Sequence, residues 1–168
     1  MEGCKKEQDD ENGLEEFKKE FLEVQKKYNL PSFEELNQHF YIDKLVDVET
    51  DYLVREIRKL VVDKFANYVR FIETFLHPTS APMFVLSAVR LMNIEDKNKL
   101  TEIYSKLSKY EIKVIELDLC FSEKNDAEFI NEAFDLWKNV KDDLLAFVKK
   151  ISANWDNKPE VNGKGYFG

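Results

Sequence analysis

One uninterrupted run, residues 49–76, constrains the fold more than any other part of the chain. It reads ETDYLVREIRKLVVDKFANYVRFIETFL. At about 100° per residue, Leu53, Ile57, Leu60, Val61, Phe65, Tyr68, Phe71, Ile72 and Phe75 share one side of a helix. Val54, Val62, Val69 and Leu76 widen that side past half the circumference. A helix apolar over so wide an arc is covered by neighbours on several sides, not by one. Neither Pro nor Gly interrupts the run, and Pro78 ends it just after His77. With a rise of ~1.5 Å per residue the helix is about 40 Å long, the height of a small domain. The run is therefore the expected central post of a helical bundle.

Composition supports helices around that post. Among 168 residues there are only five Gly and four Pro, too few for the many turns of a β-fold. A chain of this length, 43% hydrophobic and 35% charged, can bury a substantial single core. The net charge of −8 disfavours nucleic-acid binding, which needs a surplus of Lys and Arg on some face. Cys4 and Cys120 form no CxxC, and no His lies near them at metal-ligand spacing, so no metal or cofactor is expected. Two unpatterned thiols fit a reducing, cytoplasmic setting. Residues 1–13 are polar and acidic without the apolar stretch of a signal peptide, and residues 82–89, the longest apolar run, are too short to span a bilayer.

Residues 1–13 read as a disordered leader. In 14–28, Leu14, Phe17, Phe21, Val24 and Tyr28 make a narrow apolar stripe, the mark of a helix docked by one edge. Ser32 with Glu35 forms a capping box for a short helix over 33–40, with Leu30 placed as a hydrophobic staple. The connection 41–48 has no decisive pattern. Ser80 is an expected N-cap, with Pro82 in the first turn of a helix over 83–92. Asn93 caps a further helix to about Phe121, with Glu95 and Asp96 in its first turn. Asn125 with Glu128 suggests another capping box, and Phe129, Ile130, Ala133, Trp137, Val140, Leu144, Phe147, Val148 and Ile151 follow on one stripe. The expected fold is all-α: a single-domain, mainly antiparallel bundle of four long helices and two short ones over 14–155, with a flexible tail over 156–168.

Three charged residues fall on apolar faces. Glu111 and Asp118, two turns apart, lie in the middle of the apolar face of Leu100, Ile103, Tyr104, Leu107, Tyr110, Val114, Ile115, Leu117 and Phe121; Lys64 lies between Leu60, Tyr68 and Phe71. Buried charges are costly unless paired, so Lys64, Glu111 and Asp118 are candidates for a buried polar cluster or ligand pocket. The alternative is that Lys64 runs its ammonium out past the helix edge while the acids sit at a wet seam.

Arg70 and His77 stand seven residues apart at the end of the central helix. This spacing resembles the Arg-x(4–6)-His signature of HEPN-type ribonucleases, which are small helical bundles. The resemblance covers these two residues and implies that His77 would act in acid–base catalysis on RNA while Arg70 stabilises phosphate charge. Phe71 and Pro78 depart from that pattern.

All four arginines, Arg55, Arg58, Arg70 and Arg90, lie between residues 55 and 90. The three on the central helix suggest a contact strip for an acidic partner, or a solvated face with intrahelical pairs. Met83 and Phe84 open an apolar helix that is either threaded through the core or exposed on one side. Tyr166 and Phe167 sit between glycines in the tail and could form a docking motif. No nucleophile constellation or phosphate loop is present. The expectation is a non-catalytic helical interaction or adaptor domain with an unidentified protein partner and no membrane or catalytic site; a small-ligand bundle and a HEPN-like, metal-independent ribonuclease are the alternatives. Oligomeric state is open.

Overall fold

The computed structural model describes residues 3–79 and 81–156, with side chains described from 12 to 153. Among the described residues there are six helices: α1 (Gly3–Tyr28), α2 (Phe33–Phe40), α3 (Leu53–Leu76), α4 (Met83–Leu91), α5 (Ile94–Leu119) and α6 (Glu123–Asp156). A short 3-10 turn, Ile42–Leu45, lies between α2 and α3 and buries Ile42 and Leu45, which fills in the connection that carried no sequence pattern. No strand occurs among the described residues. The four long and two short helices are those expected, and they pack as one bundle.

Local chemistry explains most of the boundaries. The Ser32 hydroxyl accepts from the Glu35 N–H while the Glu35 carboxylate accepts from the Ser32 N–H, so both orphan donors at the start of α2 are satisfied. Asn93 and Asp96 make the same reciprocal pair at α5. The expected box at Asn125 and Glu128 does not form. Instead α6 starts earlier, and the Ser122 hydroxyl accepts from the Asn125 N–H. Helix α1 reaches back to Gly3, so the backbone of 3–13 is helical where composition suggests a leader. Pro82 occupies the N-cap position of α4 and not its first turn; Ser80, the expected cap, lies outside the described residues.

The core is the meeting of α3, α5 and α6. Val54, Ile57, Val61, Phe65, Ile72 and Phe75 of α3 are buried, as are Phe129, Ile130, Ala133, Val140 and Leu144 of α6 and Leu100, Ile103 and Leu107 of α5. Each such large aliphatic or aromatic side chain contributes about 1.5–3 kcal/mol relative to exposure. Helix α5 runs antiparallel to α6, since Lys150 pairs with Asp96 at one end and Lys113 with Glu132 at the other. It is also antiparallel to α3, whose Arg58 meets Asp118. Helices α3 and α6 consequently run the same way: Arg58 is level with Asp126, and the Phe75 ring lies 5.3 Å from that of Phe147. Helix α1 docks by Phe17 and Phe21 against Phe33 and is tied to α6 through Lys27 and Tyr28, which both donate to Glu123. No helix of the described residues is long and apolar enough to cross a membrane.

Candidate functional site

The buried charge in this bundle belongs to Arg58, not Lys64. Arg58 lies on the same line of α3 as Val54, Val61 and Phe65, and its guanidinium enters the core where α5 ends and α6 begins. It is 2% exposed, as is Asp126, and its Nε lies 3.1 Å from Asp126 Oδ1. That contact is a close approach of charges without hydrogen-bond alignment, because neither atom has a hydrogen-bond partner. The aligned bond runs to the other side: Arg58 Nη2 donates to Asp118 Oδ1 at 2.5 Å, and Asp118 is 57% exposed. Arg55 approaches the same oxygen at 3.9 Å, with its guanidinium 4.3 Å from the centre of the Phe121 ring.

Electrostatics differ between the two acids. The Arg58 hydrogen bond holds the Asp118 carboxyl below its ordinary range. Asp126 is pushed up: loss of water outweighs the attraction of Arg58 and Arg55. Asp118 sits in the last turn of α5, where the helix dipole disfavours an acid, so the two arginines of α3 offset an unfavourable placement. Asp126 sits in the first turn of α6, where the dipole favours it.

Lys64 therefore does not join Glu111 and Asp118. Arg58 and Lys64 are six residues apart, about 120° around the helix, so they mark opposite edges of the buried arc of α3. One edge faces the end of α5; the other faces α2 and α6. There the Lys64 ammonium donates to the His39 carbonyl and lies among the rings of Tyr41 at 4.9 Å, Trp137 at 5.4 Å, and Phe40 and Tyr68 at 5.9 Å. Burial lowers its pKa. Glu111 is half-buried, and no ion pair joins it to Lys64 among the described residues. The Tyr68 ring stacks on Trp137 at 5.0 Å, and the buried Trp137 indole N–H has no acceptor. A cleft of about 460 Å³ adjoins these two rings and is lined further by Lys141, Asp142, Leu144, Leu145 and Val148.

The remaining candidates divide. Arg58 is removed from the proposed contact strip by its burial, and Arg55 is half-buried over Phe121; Arg70 is exposed. The Arg70 guanidinium turns back along α3 to the Asn67 side chain and the Ala66 carbonyl, away from His77, which caps the far end through its N–H to the Glu73 carbonyl. Helix α4 is exposed on one side and not threaded through the core: Val85 and Ala88 face in, while Met83, Phe84 and Leu91 face out. Tyr166 and Phe167 lie outside the described residues.

A second apolar face emerges on α5. Ile112, Ile115 and Leu119 are 64%, 61% and 81% exposed. The sequence wheel counts Ile115 and Phe121 with the core face, but both are exposed; the bundle covers a narrower arc than the sequence offers. Beside this stripe, Phe121 and Tyr52 are also exposed and contact each other edge to face at 5.1 Å. Among the described residues, no group of three or more His, Cys, Asp or Glu side chains is arranged to hold a metal ion. No protein-family model, curated protein or solved structure matches the chain.

Proposed function

We propose that this protein is a non-catalytic helical interaction domain and that its contact face is the outer side of the C-terminal half of α5. The observation that carries this reading is the exposure of Ile112, Ile115 and Leu119 in one line on a well-packed helix. Scattered apolar residues on a surface need no explanation, but a contiguous line marks a binding face. The exposed Met83, Phe84 and Leu91 of α4 offer a further contact. A protein partner fits better than nucleic acid at a net charge of −8. A cytoplasmic setting is compatible with the free, exposed thiol of Cys120. The test is site-specific photo-crosslinking in cells, with benzoylphenylalanine at position 115 and, as control, at exposed Asp63. Discrete adducts from 115 that vanish on Leu119→Glu support the reading; identical adduct patterns from 115 and 63 overturn it.

A small-ligand bundle is the second reading, and it moves from the Lys64–Glu111–Asp118 triplet to the cleft beside Tyr68 and Trp137. Tyr68, Trp137, Leu144, Leu145 and Val148 give the cleft apolar walls, and Lys141 lines it as a cation beside Asp142. An apolar molecule with an acceptor group suits that arrangement. Decanoate titrated against Trp137 fluorescence, with decanol as the uncharged comparison, tests it: equal binding of both, or of neither, removes the reading.

A further inference from the structure

The α5 face carries a charge pattern that selects its occupant. Ile112, Ile115 and Leu119 step by three and then four residues, the spacing of a two-helix seam; exposed Ser105 and half-buried Ser108, whose hydroxyl is covered within the bundle, continue the line with small side chains. Lys109 and Glu116 each follow a seam position by one residue, so they flank the seam on the same side. Both are exposed and neither is engaged within the described chain. Glu111 and Asp118 each precede a seam position and flank the other side.

Suppose a second α5 lies antiparallel on the first about a two-fold axis. Like flanks then face each other, and Lys109 of one copy meets Glu116 of the other, with the reverse contact generated by symmetry. On the opposite flank Glu111 of one copy comes level with Asp118 of the other, and Arg58 and Arg55 on Asp118 offset the repulsion of those two acids. A parallel arrangement would instead set unlike flanks together and bring Glu116 against Glu111, a like-charge contact. The antiparallel orientation therefore gains two Lys–Glu contacts and meets only an arginine-screened acid pair, whereas the parallel one sets unscreened acids together. We propose that the protein self-associates as a two-fold dimer through antiparallel pairing of the C-terminal halves of α5. This rests on the interaction reading above and names the partner as a second copy of the chain.

Sedimentation equilibrium of the full chain tests the proposal. The expected result is reversible association from 19.9 kDa to twice that mass. Leu119→Glu should weaken the dimer about tenfold or more, and Lys109→Glu, which sets two acids against each other at both symmetric contacts, should weaken it similarly. The exchanged variant Lys109→Glu/Glu116→Lys should restore wild-type association, a rescue that no general loss of folding can imitate. All three positions are exposed, and unchanged circular dichroism with a single cooperative melt confirms that each variant is folded, its midpoint falling only by the stabilisation that dimerisation supplies. A monomer up to about 0.5 mM, where contacts of micromolar affinity are saturated, overturns the proposal. So does a dimer that survives Leu119→Glu, or failure of the exchange to rescue. If the chain is monomeric yet position 115 still crosslinks to another protein, self-association falls and the interaction reading stands.

Discussion

Arg58 and Asp126 share a sealed site, Nε 3.1 Å from Oδ1, while the aligned hydrogen bond of the same guanidinium goes to the more exposed Asp118. One arginine thus links three helices: it belongs to α3, draws in the last turn of α5 and neutralises the first turn of α6. A slide of α3 against α5 and α6 would strand the buried guanidinium away from both acids, a cost that apolar packing alone does not impose.

Removal of Arg58 should be the most damaging single change at this site. Arg58→Met leaves Asp126 buried without a counter-charge, and the expected loss is about 3–5 kcal/mol, softened where Asp126 takes up a proton. Arg58→Met/Asp126→Leu, which removes both buried charges, should recover most of that loss. Urea denaturation of the two variants checks the contrast; equal destabilisation would show that the charges are not coupled.

The two acids should give opposite pH dependences. Asp126 has its carboxyl raised in the folded state, so above the ordinary Asp range the folded protein holds a proton that the unfolded chain has lost. Its contribution therefore falls as pH rises through that window. Asp118 is lowered, and its contribution is present above the ordinary Asp range and lost as pH falls through its folded value. Relative to wild type, Asp126→Asn should gain stability as pH rises from about 3 to 7, whereas Asp118→Asn should lose it. Denaturation midpoints across that range measure both slopes.

Lys64→Met should cost little. Cation–π contacts of about 0.5–1 kcal/mol and the hydrogen bond to the His39 carbonyl are lost, but so is the burial penalty of an ammonium without a carboxylate, and the net change should lie within about 1 kcal/mol. Because its folded pKa is depressed, wild-type stability should rise as pH climbs from that value toward the ordinary lysine range, where the unfolded chain still holds the proton. Lys64→Met should lack this rise. Thermal melts at neutral and alkaline pH separate the two curves, and a loss above 3 kcal/mol at neutral pH would mean that Lys64 holds an essential partner.

RNA incubated with the wild-type protein and with His77→Ala should show no His77-dependent cleavage. Arg70 is held by Asn67 and Ala66, turned away from His77. A clear difference between the two proteins would reinstate the ribonuclease alternative.

Helix number and order were legible because period and punctuation agree along the chain: the wide arc of α3, the stops at Pro31 and Pro78, and the capping residues Ser32 and Asn93. Asp126 was not. An acid in a helix's first turn already has a local justification in the dipole, which hides that it shares a stripe with Ile130, Ala133 and Trp137. Arg58 and Lys64 are equally placed on the wheel, and only the neighbours at each edge of α3 decide which charge goes deep. The outer stripe of α5 was hidden for a related reason. Periodicity shows which residues share a face, but how much of that face a neighbour covers is a property of three-dimensional packing.

Tyr28 donates to Glu123, and its own carbonyl accepts from Asn131, across a chain separation of about a hundred residues. On a ribosome, α1 would have to wait for the beginning of α6 before these anchors exist. Helix α1 thus emerges well before it is seated, with Phe17 and Phe21 exposed or held only by α2 in the meantime. A chain cut before α6 would keep that vulnerable interval permanently.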